Sequence, residues 1–249
     1  MTTPPELLQK FTSDALPGHP NLPPKDASTL ILLDRSGPSP KVLMGKRHDR
    51  HVFLPGKFVF PGGGVDPQDR LMQPGAPLDP RAEKKLMLHT RRPNAAKARA
   101  LALAAIRETF EETGLLLGLR PTDGASAPAA PSGPWSAFAE AGIQPDLSTV
   151  HFIARAITPP RRARRYDTRF FTADATAVAH KIEGKVGPEH ELIELVWLPL
   201  DDIKQRIELL AITEIVLGDL HAQIEAGFSH DLPVPFYRVK NGKRVRELL

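Results

Sequence analysis

Three glutamates near the middle of the chain have a spacing that could support chemistry. Glu108, Glu111 and Glu112 are related by three and four residues, so they share one face if this segment is a helix. Like charges at that spacing cost roughly a few tenths of a kcal/mol per pair, and a cation would relieve them. Clustered carboxylates suit hard ions such as Mg²⁺ or Mn²⁺, which also bridge substrate phosphates. The alternative interpretation is the solvated face of an amphipathic helix.

A glycine-rich segment precedes this cluster. Gly62, Gly63 and Gly64 follow an apolar run that ends at Phe60. Glycines after a strand let the backbone approach a phosphate or a metal ion closely. Taken alone, the same run also fits a plain tight turn.

The elements around these residues follow from periodicity and punctuation. Asn94 is a candidate N-cap for a helix over Ala95–Thr113, and Gly114 is a natural stop. Apolar runs predict strands at 29–33, 42–44, 58–60, 150–157, 169–172 and 192–198, and a helical pattern covers 201–224. Residues 66–93 are polar and proline-punctuated, which predicts an excursion from the core, and 120–134 predict a mobile loop. This order predicts an α/β (α+β) fold, with a mixed β-sheet between helices on both faces.

Composition limits the classes of protein that the chain can belong to. Among 249 residues there is no cysteine, which excludes disulfides, a thiolate nucleophile and a cysteine zinc site. A proline-rich arm over residues 1–27 lacks the features of a secretory signal, and no apolar stretch is long enough to cross a bilayer. We therefore expect a cytoplasmic protein without a membrane partner. The net charge of +4 suits an anionic small molecule as well as nucleic acid.

Together the glycine and glutamate segments resemble the two halves of the Nudix box. The matching residues are Gly63 and Asp69 in the first half and Arg107, Glu108, Glu111, Glu112, Gly114 and Leu115 in the second. Asp69 stands where the family has glutamate, and Thr109 stands where it has an apolar residue. Between the halves lie 37 residues (70–106) instead of seven. A sub-group of the family related to coenzyme A hydrolases carries long insertions of this kind, and a surface loop tolerates them thermodynamically.

The resemblance implies a domain and an architecture. Flanking segments at 42–63, 159–171 and 191–200 are similar to strands of the same sub-group, so it covers about residues 28–225. It implies a single Nudix hydrolase domain over 28–249, built as an α/β/α sandwich, with an insertion at about 70–93. The insertion would serve as a lid over the substrate, a dimer contact or a spacer. By analogy with the family, the protein would form a homodimer.

Residue roles follow from the resemblance as well. Glu111 and Glu112 would be the main ligands of Mg²⁺ or Mn²⁺, and Glu108 a further ligand or the group that orients the attacking water. Arg107 would hold the glutamates by ion pairing. The carbonyl of Gly62 and a later acidic residue would complete the metal shell. The candidates for that acidic residue are Glu191 first, then Glu189 and Glu194. Substrate contacts are expected from Arg47 and Gly63.

A run of arginines at 161–165 is the other notable cluster. Arg161, Arg162 and Arg165 are candidates to contact an anionic substrate through a phosphate. Nucleic acid is a less favoured partner, because the run lacks interleaved aromatic residues. A solvated basic loop is the remaining interpretation.

The sequence thus favours a metal-dependent hydrolase that cleaves a diphosphate linkage in a nucleoside-diphosphate-linked, nucleotide-like small molecule. Coenzyme A or acyl-coenzyme A is the first expectation, and ADP-ribose, dinucleoside polyphosphates and NADH stay open. Two alternatives from other classes remain. One is a catalytically inactive Nudix-fold protein that binds or senses a nucleotide, and the other is a nucleic-acid-binding module.

Overall fold

A large mixed β-sheet forms the centre of the protein. The computed structural model describes Glu6 and residues 20–50, 55–121, 130–201 and 203–249. The strands of the main sheet are β1 (Lys25–Asp34), β2 (Lys41–Arg47), β3 (Phe58–Val59), β4 (Gly62–Gly64), β6 (His151–Ile157), β7 (Tyr166–Asp174), β9 (Leu192–Pro199), β10 (Pro235–Lys240) and β11 (Lys243–Leu248). Their order is β11-β10-β6-β7-β1-β2-β3, with β4 also paired to β1 and β9 to β2. A separate pair joins β5 (Leu115–Leu117) to β8 (Val178–Lys181).

Strand β1 lies in the middle of this sheet and is apolar on both faces. It runs parallel to β7 over nearly its whole length, and antiparallel to β2 at one end and to β4 at the other. Leu30 and Leu32 belong to one hydrophobic cluster, whereas Ile31 and Leu33 belong to another. This alternation places a core on each face of the sheet, which explains why the strand reads as a continuous apolar run.

Helices cover both faces of the sheet. They are α1 (Pro80–Met87), α2 (Ala95–Thr113), α3 (Pro134–Glu140), α4 (Ile203–Arg206) and α5 (Ala211–Glu225), with 3-10 turns at Pro67–Arg70 and Ala175–Ala177. Buried residues of α1, α2 and α3 share the cluster of Leu30, while those of α4 and α5 share the cluster of Ile31. The predicted α/β class, with a mixed sheet between helices, is confirmed.

Helix α2 has the ends that its sequence predicts. The Asn94 side chain accepts a hydrogen bond from the Lys97 backbone N–H at 2.8 Å. At the other end Gly114 adopts a φ of 78°, where glycine carries no steric penalty, and its N–H bonds to the carbonyl of Phe110. Thr109 is fully buried, and its hydroxyl donates to the carbonyl of Ala105 at 2.8 Å. The hydroxyl of Thr109 therefore has a hydrogen-bond partner, although the Nudix pattern has an apolar residue at this position.

Several sequence-based boundaries need correction. Strand β1 begins at Lys25, inside the predicted arm, because it pairs there with Tyr166; residues 1–19 apart from Glu6 lie outside the described part. The glycine run forms β4 against β1 instead of ending a strand. The helix predicted over 201–224 is two helices, α4 and α5. In the predicted loop 120–134, residues 122–129 are not described, and Pro134 already begins α3.

The segment predicted as an excursion is in fact part of the core. Met72, Leu78, Ala82 and Leu86 are each at most 5% exposed and pack in the cluster of α2. Their spacing was too sparse to signal burial, since polar residues and prolines separate them. Among the described residues, no helix has both the length and the apolar character needed to cross a membrane.

Candidate active site

Arg107 is the centre of the candidate site and is only 5% exposed. Its Nε and Nη2 atoms donate to the two carboxylate oxygens of Asp69 at 2.8 and 3.1 Å, and Nη2 also donates to the carbonyl of Gly64 at 2.7 Å. Its Nη1 atom bonds to Glu108 at 2.9 Å and to Glu111 at 2.6 Å. Burial alone would lower the pKa of Arg107, but these carboxylates raise it overall, so the guanidinium stays charged. The predicted pairing of Arg107 with the glutamates is present in the structure.

Asp69 anchors this arginine from the side of the inserted segment. Its side chain is fully buried, and it also accepts hydrogen bonds from the Trp135 indole at 3.1 Å and from the Asp66 backbone N–H at 2.8 Å. Both carboxylate oxygens are therefore engaged within the protein. The sequence left the part of Asp69 in metal binding open. In the structure, Asp69 positions Arg107. Nothing in the sequence indicated that the Trp135 indole would bond to Asp69.

Glu108 lies directly against the glycine strand. A Cβ atom on residue 63 would come within 2.5 Å of the Glu108 carboxylate, so Gly63 is the residue that leaves space for it. Burial raises the pKa of Glu108 to about 7, although Arg107 acts in the opposite direction. The close approach of β4 to α2 explains why a glycine is required here.

Glu112 is the most deeply buried of the three glutamates, at 7% exposure. The backbone of Gly62 donates a hydrogen bond to its carboxylate, but the Oε2 atom has no partner among the described residues. Burial raises the pKa of Glu112 well above its usual value, and the charges of Glu191 and Glu108 raise it further. A buried carboxylate oxygen without a donor, next to two more carboxylates, suits a divalent cation.

The later acidic residue predicted near β9 is also at this site. Glu191 forms an ion pair with Arg47 at 2.7 Å, with side chains 40% and 13% exposed. Both residues act electrostatically on Glu112. Glu189 and Glu194 are exposed, and neither is among the charges that shift the pKa of Glu112. Pairing of β2 with β9 therefore brings the first candidate, Glu191, to the glutamates of α2.

The side chains fit a hard divalent ion by their chemistry, but as placed they do not form a ready chelate. Within the described ranges, no three acidic or histidine side chains are grouped so that they could hold one metal ion. Glu108 and Glu111 are both directed to Arg107 Nη1 instead. A bound cation would compete with this guanidinium for the same carboxylates.

The arginine run does not join the glutamates. Arg165 donates to the carbonyls of Thr158 and Pro159 at 3.1 Å each, and to Asn21 and Leu22 at 2.7 and 2.5 Å. Its Nε and Nη1 atoms are therefore engaged by neighbouring protein groups. Arg161 lines a different groove, between the β6–β7 loop and the β10–β11 hairpin.

A second groove, which the sequence did not reveal, adjoins the glycine strand. It has a volume of about 530 Å³ and is lined by Gly64, Lys25, Arg70, Lys97 and Tyr166, among others. Lys97 is paired with Asp26 at 2.6 Å. Because the carbonyl of Gly64 bonds to Arg107, this groove lies next to the glutamate cluster. No periodicity or motif marks it, since its residues come from five separate elements.

Comparison with known proteins points to one family, although no family model matches the chain. The chain is 31% identical over 205 residues to the acyl-coenzyme A diphosphatase of Gallus gallus, a match that covers 59% of this chain. The match covers 54% of that protein, so the chain spans about half the length of this curated relative.

A solved structure agrees over most of the chain. The crystal structure of a NUDIX hydrolase from Alicyclobacillus acidocaldarius is 28% identical, with a TM-score of 0.61, and the match covers 84% of this chain and 96% of that one. The two-part box, the geometry of its residues and these two similarities all point to the Nudix hydrolase family.

Proposed function

We propose that this protein is a metal-dependent hydrolase that cleaves a diphosphate linkage in a nucleoside-diphosphate-linked small molecule. The observation that carries the proposal is the buried Oε2 atom of Glu112, which has no hydrogen-bond partner among the residues that the structure describes and lies beside Glu108 and Glu191. A polar atom of this kind is costly unless a ligand satisfies it. Placing the buried Glu112 beside Glu108 and Glu191 serves a catalytic site better than it serves stability.

Each residue of the site has a distinct role in this proposal. Glu111, Glu112 and Glu108, with Glu191 and the Gly62 carbonyl, would hold Mg²⁺ or Mn²⁺. Such an ion neutralises charge on a diphosphate and lowers the pKa of a bound water. Glu108, packed against Gly63, serves as a further ligand or orients the attacking water. Arg107 fixes the directions of Glu108 and Glu111, and Asp69 fixes Arg107 in turn.

The substrate class follows from charge and from the relative. Coenzyme A or an acyl-coenzyme A is our first candidate, because the matched relative is an acyl-coenzyme A diphosphatase. The groove beside Gly64 offers Lys25 and Arg70, for which the described residues provide no ion-pair partner, to a phosphate-bearing substrate. Arg47 and Gly63 remain proposed substrate contacts. A homodimer and a cytoplasmic location also stay predictions.

A hydrolysis panel tests this proposal. Purified protein is incubated with Mg²⁺ or Mn²⁺ and coenzyme A, an acyl-coenzyme A, ADP-ribose, NADH, a dinucleoside polyphosphate or nucleoside triphosphates. Mass spectrometry then identifies the products. We expect one substrate class to be split at its phosphate bridge, giving two phosphate-bearing fragments. If none is cleaved although ligands bind, the protein is the inactive, nucleotide-binding member of the family that the sequence left open.

A further inference from the structure

A basic groove lies at the far edge of the main sheet, away from the glutamates. We call it the basic groove; its volume is about 790 Å³. Its lining includes Arg161 from the β6–β7 loop, Lys243 and Arg244 from the β10–β11 hairpin, and Asn21, Pro159 and Val239. No acidic residue belongs to its described lining. Three cations, one from a loop and two from the start of β11, thus face one open space.

These cations differ from their neighbours, because none of them is paired with a carboxylate within the described part of the chain. On the same hairpin, Arg238 and Lys240 both pair with Glu247, at 2.6 and 3.1 Å. Arg161, Lys243 and Arg244 are exposed, and no described residue forms an ion pair with any of them. The hairpin therefore neutralises its other charges and leaves those of the basic groove available to a ligand.

The wall of the basic groove is held in place by Arg165. The four hydrogen bonds of this side chain tie the backbone at Thr158 and Pro159 to Asn21 and Leu22. Asn21 and Pro159 are themselves part of the lining. Arg161 lies two residues beyond Pro159 and has a φ of 60°, in the left-handed region that a non-glycine residue rarely adopts. A wall that is already held in place favours binding, because the protein loses less conformational entropy when a ligand binds.

The basic groove opens on the face of the sheet opposite to the glutamates. Val239 and Arg244 are cross-strand partners in β10 and β11. Val239 lies two residues from Tyr237, so both point to the same side. Tyr237 donates to Asp219 of α5, whereas the glutamates belong to α2 on the other face. The sheet thus separates the basic groove from the proposed metal site.

We propose that the basic groove is a second anion site, which binds a small, multiply charged phosphate compound. Three convergent cations match such a ligand in charge, and the volume is in the range of small-molecule sites. The described lining contains no aromatic side chain, so the groove recognises phosphate charge and not a base or ring. This also disfavours single-stranded nucleic acid, which needs stacking platforms. The site is independent of the proposed hydrolysis.

Calorimetric titration with inorganic tripolyphosphate tests the proposal. The full chain is used with a chelator present, so that binding through metal at the glutamates does not contribute. Arg161→Ala and Arg244→Ala each remove one lining cation, and Lys243→Ala is the reserve variant should either misfold by circular dichroism. The matched control is Arg164→Ala, which removes the same charge from an exposed position of the arginine run outside the lining.

We expect each lining variant to weaken tripolyphosphate binding by about tenfold, as loss of a charge-assisted contact predicts, and the Arg164 variant by less than about twofold. Equal losses in all variants would show a diffuse basic surface and overturn the proposal. No binding by the unmodified chain would overturn it too. So would tighter, steeply salt-dependent binding of a single-stranded oligonucleotide, which would assign the surface to nucleic acid.

Discussion

One buried guanidinium organises the acidic residues of the candidate site. Arg107 bonds to Asp69 on one side and to Glu108 and Glu111 on the other, while almost entirely shielded from water. Buried ion pairs of this type are weak evidence for stability, but they fix geometry strictly. Asp69 thereby connects the inserted segment to the glutamates, although it is not itself a proposed ligand.

Replacing Asp69 with Asn tests this connection. The substitution preserves shape and an acceptor for Trp135, but it leaves the buried Arg107 with less compensating charge. We expect a loss of about 3 kcal/mol in the free energy of unfolding, measured by urea denaturation, together with a lower kcat. Asp66→Asn is the control, since Asp66 is exposed and asparagine still caps the 3-10 turn. Equal effects of the two substitutions would contradict the anchoring role.

At the scale of elements, the inserted segment is built into the molecule and is not appended to it. Lys85 of α1 donates to the carbonyls of His230 and Leu232, at 2.7 and 2.5 Å. Arg155 of β6 donates to the carbonyl of Leu88, just after α1, at 2.8 Å. These contacts join the segment between the halves of the box to the sheet and to the C-terminal region.

Leucines two residues apart in this segment allow a matched test. Leu86 is 2% exposed and packs in the core cluster, whereas Leu88 is 40% exposed. We expect Leu86→Ala to lower the free energy of unfolding by about 2–5 kcal/mol because it opens a cavity, and Leu88→Ala to change it by less than about 1 kcal/mol. Chemical denaturation measures both. A harmless Leu86 substitution would mean that the segment is peripheral.

The sequence predicted elements well where local signals are strong, and poorly where tertiary packing decides. The bounds of α2 were predicted correctly because Asn94 and Gly114 mark its ends. Burial of α1 could not be predicted, since only Ala82 and Leu86 face the core within a strongly polar helix. Strands β10 and β11 were not predicted, because arginines and lysines interrupt their apolar alternation.

In the candidate site, too, the sequence predicted the residues that share a local motif and missed those that meet only through the fold. The helical spacing and the resemblance singled out Glu108, Glu111 and Glu112 and predicted that Arg107 pairs with glutamates, as it does with Glu108 and Glu111. The indole of Trp135 and the groove beside Gly64 could not be foreseen, because their residues are distant in sequence and meet only through the fold. The arginine run looked like one functional cluster, but the fold assigns Arg165 to the loop and Arg161 to a groove on another face.

At the scale of the whole molecule, two helical layers are joined through the sheet, and each carries buried charge. On the α5 side, Asp219 is 7% exposed and accepts hydrogen bonds from the Tyr237 hydroxyl at 2.9 and 3.0 Å. The guanidinium of Arg246 lies 3.9 Å away. Burial raises the pKa of Asp219 to about 6, although Tyr237 and Arg246 act to lower it.

This raised pKa makes stability depend on pH in a defined direction. The folded protein favours the neutral acid, so the contribution of Asp219 is fully present below its unfolded pKa of about 4 and is lost as the pH rises through about 6. Asp219→Asn keeps the neutral shape at every pH. Relative to the unmodified chain, the free energy of unfolding of this variant should therefore rise between pH 4 and pH 7, by on the order of 3 kcal/mol. Urea denaturation at several pH values checks this, and a constant difference would contradict it.

The most direct test of the central claim is the initial rate of diphosphate hydrolysis as a function of Mg²⁺ or Mn²⁺ concentration. The unmodified chain is compared with Glu112→Gln and with Glu140→Gln, the same chemical change at an exposed position of α3. We predict a rate that saturates with metal and vanishes with a chelator, a loss of at least about a hundredfold for Glu112→Gln, and little change for Glu140→Gln. Hydrolysis that persists in the chelator, or a Glu112→Gln variant as active as the unmodified chain, would contradict the proposed glutamate metal site.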